Sequence, residues 1–184
     1  TMTRQRRADA RRDVEALVEA ARTVFDTSGV DAPAKEITDL AGVGVGTLYR
    51  HFPQRADLVK AVVQTGIDDL AEAGSKLSAA HPPAAALALW IDRYVELLGT
   101  KRGLASALHS GDPAFASLPG YFMERLGPPL TALLDAAAAD GAIRSDVGAE
   151  DLLYAIALLC RPVPGRGPDY GRRMVAVLVD GLRR

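Results

Sequence analysis

The chain has 184 residues, 48% of them hydrophobic, with 22 basic and 23 acidic side chains and a formal net charge of −1. That length buries a core in one domain or two small ones, and the near-neutral balance leaves any nucleic-acid partner to local features rather than to bulk charge. The single cysteine, Cys160, excludes an internal disulfide framework and a cysteine-rich zinc site, and His51, His81 and His109 share no metal-ligand spacing. No metal and no cofactor is therefore expected. No run of about 18 apolar residues occurs and no apolar run follows the basic start, so the reading is a cytoplasmic protein without membrane span, membrane partner or signal peptide.

The first twelve residues carry Arg4, Arg6, Arg7, Arg11 and Arg12 against Asp9 alone. Two readings of this stretch stay open. A basic arm gains affinity for phosphate by counterion release, whereas a charged terminus is often a solvated, disordered one. Val14, Leu17, Val18, Ala21, Val24 and Phe25 then follow the i, i+3, i+4, i+7 spacing of a helix with one buried stripe, ending at Ser28 and Gly29. A short helix at 34–41, a turn at Gly42-Val43-Gly44 and a second short helix at 45–52 come next. In this pair Ile37, Leu40, Ala41, Val45, Leu48 and Phe52 are expected to face inward. Gly46, Thr47, Arg50 and His51 then lie on or near the outer face, with Tyr49 beside them.

Beyond Pro53 a long helix is expected at 54–79, and His81-Pro82-Pro83 breaks it. Further helices follow at 84–100, 102–109, 115–140, 149–160 and 169–183. Pro128-Pro129, inside the 115–140 helix, should kink or restart it. The last two helices carry the stripes Leu152, Leu153, Ile156, Leu159 and Val175, Leu178, Val179, Leu182. No segment alternates with period two for long enough to form a sheet, so the fold class is all-α with about nine helices. The division is 1–53, with its basic arm, and 54–184.

Spacing alone leaves residues 34–52 as either a wet tri-helical core or a DNA-binding helix-turn-helix. A phosphate cradle at Gly42–Gly46 is discounted, because the pattern is G-x-G-x-G and no strand precedes it. The run from Lys35 to Phe52, above all Ala41-Gly42-Val43 followed by Gly46-Thr47-Leu48-Tyr49-Arg50-His51-Phe52, resembles the signature of the tetracycline-repressor-like (TetR) family of regulators. The flanks Ala20-Ala21, Phe25, Gly29 and Arg55-Ala56-Asp57-Leu58 agree with it, so the resemblance covers about residues 14–62.

The resemblance implies three N-terminal helices for DNA and a longer helical part for effector binding and dimerisation. Lys35 matches a site that touches a base in some members, and Val45, Gly46 and Thr47 match the start of the recognition helix. Tyr49, His51 and Arg55 match phosphate-contacting positions, with Arg50 beside them as a further donor. Three departures from the family stand out: Pro33 and Ala34 stand where threonines are frequent, Gly44 where a serine often caps the recognition helix, and Ala56 where glutamate is common. Each of the first two removes a side-chain cap.

In the remainder, Ile67, Trp90, Tyr94, His109, Phe115, Phe122 and Met123 either fill an ordinary core or line a pocket for a small apolar or amphipathic effector. The last two helices either close the monomer's own core or pair with their copies across a two-fold axis as a homodimer. No nucleophile–base pair, paired acid or nucleotide loop points to an enzyme. The function expected is that of a sequence-specific transcriptional regulator, a dimeric repressor on a palindromic double-stranded DNA operator, released by effector. The alternative is an effector-independent or architectural DNA-binding protein on the same fold.

Overall fold

Heptad-like apolar spacing with glycine and proline punctuation produces helices throughout. The computed structural model describes residues 2–99 and 110–184. Among these residues there are eight α-helices: α1 (Met2–Ser28), α2 (Ala34–Ala41), α3 (Val45–His51), α4 (Arg55–Ala80), α5 (Pro83–Gly99), α6 (Leu118–Ala139), α7 (Ala149–Leu159) and α8 (Tyr170–Asp180). A 3-10 turn covers Pro113–Phe115, and an antiparallel bridge joins Ile143 to Arg183. The expected helix at 102–109 lies outside the described residues. The described chain divides into two compact units, one holding residues 2–65 and 110–118, the other 66–99 and 119–184. Helix α4 contributes residues to both units, whereas the sequence division at 53/54 assigned it wholly to the second part.

In the first unit Leu17, Ala21 and Phe25, at successive i+4 steps along α1, are fully buried. They pack in one cluster with Ile37 of α2, Leu48 of α3, Phe52, and Leu58, Val59 and Val62 of α4. Fully burying a side chain of leucine or phenylalanine size is worth about 1.5–3 kcal/mol, which is what holds three helices of such unequal length together. Helix α1 starts at Met2, so the arginine-rich stretch is helical, with Arg11 paired to Glu15 at 2.9 Å and Arg12 paired to Asp9.

Two inward assignments are overturned here. Leu40 is 57% exposed and Val45 is 42% exposed. Helix α2 has only eight residues, and its inward positions are taken by Ile37 and Thr38. Leu40 therefore sits on the outer surface of α2, while Val45 stands at the first position of α3 before the helix turns its apolar side inward.

In the second unit Ile67, Leu70, Ala73 and Leu77 of α4 are buried, as are Leu87, Trp90, Ile91 and Tyr94 of α5. Leu126, Leu130 and Leu133 of α6 and Leu152, Leu153 and Ile156 of α7 are buried as well. Val175 of α8 and Leu182 beyond it are also covered. The stripes of the last two helices are thus spent largely on the monomer's own core, and the apolar side chains left exposed there are Tyr154, Leu158 and Val177. Gly171 permits the contact between α7 and α8, because a Cβ at that position would stand 2.8 Å from the Leu159 carbonyl oxygen. Helix α6 runs on through Pro128 and Pro129 without a break. The two rings carry no N–H, so the carbonyls of Glu124 and Arg125 have no amide partner one turn on.

Candidate nucleic-acid interface

The turn between α2 and α3 is built by one buried threonine and one glycine. Thr38, 2% exposed, accepts at its carbonyl from the N–H of Gly42 and, at 3.1 Å, from that of Val43. Its hydroxyl donates to the Lys35 carbonyl at 3.2 Å. The Gly42 bond is the last ordinary bond of α2, whereas the Val43 bond closes only with residue 42 in the left-handed region, φ 72° and ψ 28°, which glycine adopts without steric cost. The chain bends at Val43, is extended at Gly44, and re-enters a helix at Val45. Gly44 caps α3 through its backbone, its carbonyl accepting from Thr47 N–H at 2.9 Å, with no side-chain cap. Pro33 likewise gives α2 no side-chain cap. Both agree with the departures read from the sequence.

Each expected DNA-contacting residue has a defined place. Lys35 is exposed on α2 and paired with Asp39 at 2.6 Å, one turn away on the same surface. Val45 and Gly46 are exposed at the start of α3, and open space surrounds Gly46. Thr47 is half-buried, Tyr49 is 52% exposed and Arg50 is exposed. His51 departs from its expected outer position: the ring is half-buried and its Nε2 is buried without a hydrogen-bond partner. Arg55 is exposed at the start of α4, but its Nη2 donates to the Ala32 carbonyl at 2.5 Å. That bond ties the α1–α2 connection to α4, a structural duty that spacing gave no hint of.

The N-terminus of α4 is closed by Asp57, whose carboxylate accepts from the Gln54 N–H at 3.0 Å. This is the side-chain half of a capping box, with the acidic group near the positive end of the helix dipole. The surface formed by α3 and the start of α4 therefore offers, in order, an aliphatic group, bare backbone, hydroxyls and a guanidinium. Such a set can meet base edges and phosphates, and it holds no pair of groups suited to acid–base or nucleophilic chemistry.

The expected effector residues separate. Trp90 and Tyr94 are fully buried with ring centroids 5.9 Å apart, and Phe122 lies 5.6 Å from Tyr94. The Trp90 indole donates to the Leu70 carbonyl and the Tyr94 hydroxyl to the Leu153 carbonyl, each at 2.9 Å. Burial pushes the Tyr94 pKa well above its ordinary value, with the nearby Cys160 adding to it. Ile67 is buried in the same unit, and Met123 is half-buried. Phe115 does not join them: it packs in the first unit with Phe25 and Leu118. His109 lies outside the described residues. Sequence reading missed a polar cluster on the same helices, in which Asp68 Oδ1 accepts from the Tyr121 hydroxyl at 2.5 Å and from Arg125 Nε at 2.7 Å. A cavity of about 230 Å³ lies elsewhere, lined by Leu87, Ala88, Ile143, Val179 and Leu182 among others, and none of the expected effector residues borders it.

With this geometry in hand, residues 17–62 match the family described as bacterial regulatory proteins, tetR family. Residues 82–184 match the description transcriptional regulator SbtR-like, C-terminal domain. The chain belongs to the TetR family. TetR proteins are helix-turn-helix regulators of transcription rather than enzymes, which fits the chemistry of the α2–α3 surface. The protein is similar to a TetR transcriptional regulator from Streptomyces coelicolor, at 36% identity over 92% of this chain and 98% of that one, with a TM-score of 0.69. It is also similar to a TetR regulatory protein from Mycobacterium vanbaalenii, at 32% identity over 97% and 99% of the two chains, with a TM-score of 0.70. An HTH-type transcriptional regulator of Staphylococcus aureus (strain USA300) is 38% identical over 63 residues. That likeness spans 34% of this chain and 34% of the curated relative. Among the described residues no helix is long and apolar enough to cross a membrane.

Proposed function

We propose that this TetR protein binds a roughly palindromic double-stranded DNA operator as a homodimer in the cytoplasm and represses transcription until a small apolar or amphipathic effector releases it. The observation that carries the DNA reading is the exposed first turn of α3, where Val45 and Gly46 stand clear of the fold beside Tyr49 and Arg50. A recognition helix reaches base edges with its N-terminal residues, and here nothing among the described residues covers them. Lys35 serves a base edge from α2; Gly46 and Thr47 bring backbone and hydroxyl close; Tyr49, Arg50, His51 and Arg55 serve phosphates.

The homodimer reading rests on Tyr154 and Leu158, one turn apart on α7, and Val177 on α8, which remain exposed after the monomer's core is filled. A two-fold pairing of α7 and α8 buries them. Light scattering on the wild type should give twice 19.5 kDa, and Leu158→Glu should return the 19.5 kDa species. For the effector, Ile67, Trp90, Tyr94, Phe122 and Met123 are the candidate lining. The satisfied polar atoms of Trp90 and Tyr94 favour the second reading, a filled core and an effector-independent DNA-binding protein.

The decisive experiment selects bound duplexes from a random pool and measures the variants on the winner. Tyr49→Phe should weaken all sequences alike, while Lys35→Ala should relax selectivity at one position of each half-site. Failure to enrich any duplex sinks the DNA reading. A compound that releases the selected duplex separates the first reading from the second.

A further inference from the structure

We infer that the first turn of α3 recognises thymine through its C5-methyl group, with Val45 as the residue in contact. This rests on the DNA-binding reading above and names the base chemistry of that site. Residues 45–48 are Val, Gly, Thr and Leu, so the first turn of this helix holds no amide, acid or basic side chain. Leu48 is buried and Thr47 half-buried, which leaves Val45 as the most exposed side chain of the turn. A base edge met at the first position of α3 is met by an aliphatic group, with the Thr47 hydroxyl two residues on.

Three features make Val45 a fixed probe rather than a stray apolar group. It is 42% exposed at the first position of α3, so its isopropyl group reaches solvent from the start of the helix. Its neighbours in sequence, Gly44 and Gly46, bring no side chain, and open space surrounds both, so the isopropyl group is not screened from either direction. A β-branched side chain in a helix has one strongly preferred rotamer, so the two methyls are set before any partner arrives and little entropy is lost on contact. In the major groove the one apolar group that distinguishes the four base pairs is the thymine methyl. The bare backbone at Gly46 lets the helix approach near enough for methyl–methyl contact.

The test uses the full-length protein and a duplex selected from a random pool. Each thymine of the half-site is replaced singly by uracil, which deletes the methyl and leaves every hydrogen-bonding atom in place. At one thymine, uracil should weaken wild-type binding about fourfold, corresponding to about 0.8 kcal/mol for burial of one methylene-sized group. Val45→Ala should bind the thymine and uracil duplexes equally, and Val45→Thr, which keeps one methyl, should lie between. Because the site is exposed, both variants should melt with the wild type, which a thermal scan checks. If a duplex is enriched but has no uracil-sensitive thymine, or if Val45→Ala keeps the sensitivity, this inference falls and the DNA-binding reading stands. If no duplex is enriched, both fall.

Discussion

The Tyr94 hydroxyl donates a 2.9 Å hydrogen bond to the main-chain carbonyl of Leu153, so a side chain of α5 is fastened to the backbone of α7. Together with the Trp90 indole on the Leu70 carbonyl, it makes α5 the element to which both α4 and α7 are pinned. Tyr94→Phe keeps the ring contact with Phe122 and removes only the bond. It should cost about 1 kcal/mol, read as an earlier denaturant midpoint with an unchanged slope. The wild type should also lose stability as the pH rises above about 10, since the unfolded phenol ionises there while the buried one keeps its proton. Tyr94→Phe should lose this part of the alkaline slope.

Two glycines of the helix-turn-helix, Gly42 and Gly44, predict opposite outcomes. At Gly42, with φ 72°, any Cβ strains the backbone, so Gly42→Ala should destabilise the first unit by about 1 kcal/mol. Gly44 has φ −79°, ψ 153° and open space around it, so Gly44→Ser adds a hydroxyl where α3 has no side-chain cap. The gain should be about 0.5 kcal/mol, from the cap and from a less flexible unfolded chain. Denaturant melts of the three proteins check both signs.

Gly171→Ala should be costly for a different reason. The added Cβ would meet the Leu159 carbonyl oxygen at 2.8 Å and the Cys160 Cα at 3.1 Å, and main-chain atoms cannot rotate away. Separating α7 from α8 should cost about 1–3 kcal/mol. If those helices also form the dimer face, light scattering should show weakened association beside the lower melt.

Arg144 and Asp146 form a bidentate pair, Nε to Oδ1 at 2.6 Å and Nη2 to Oδ2 at 2.7 Å. The hydrogen bonds from Arg144 hold the Asp146 carboxyl at about 2, below its ordinary range. A carboxyl whose pKa is lowered by folding stabilises the fold above about pH 4 and loses that contribution as the pH falls toward 2. Carboxyl-detected NMR titration should find this midpoint, and Arg144→Gln should move it back toward 4.

Much of the helix-turn-helix was legible because its signals are local. The i+4 ladder Leu17, Ala21, Phe25 and the turn glycine at 42 act within one helix length, and the structure places them as the spacing implies. What escaped depends on partners far along the chain. Periodicity assigns Leu40 to an apolar face but cannot say whether anything arrives to cover that face. The stripes on α7 and α8 announce burial without naming the surface that buries them. Phe115 stands only a few residues from Tyr121 and Phe122 in sequence, yet it packs in another unit. The Asp68 cluster joins residues more than fifty positions apart, and no local pattern foretells it.

The proline pair of α6 has a mechanical consequence. A helix resists bending because each turn is stitched to the next, and here two successive stitches, at the carbonyls of Glu124 and Arg125, are missing. The stretch before the pair is tethered instead from the side, through Tyr121 and Arg125 on Asp68. The stretch after it is clamped by the buried Leu130, Leu133 and Ala137. The rod is thus held by its flanks where its own ladder is open, and Gly74 of α4, at which an added Cβ would stand 3.0 Å from Pro129, leaves no room to spare beside the pair.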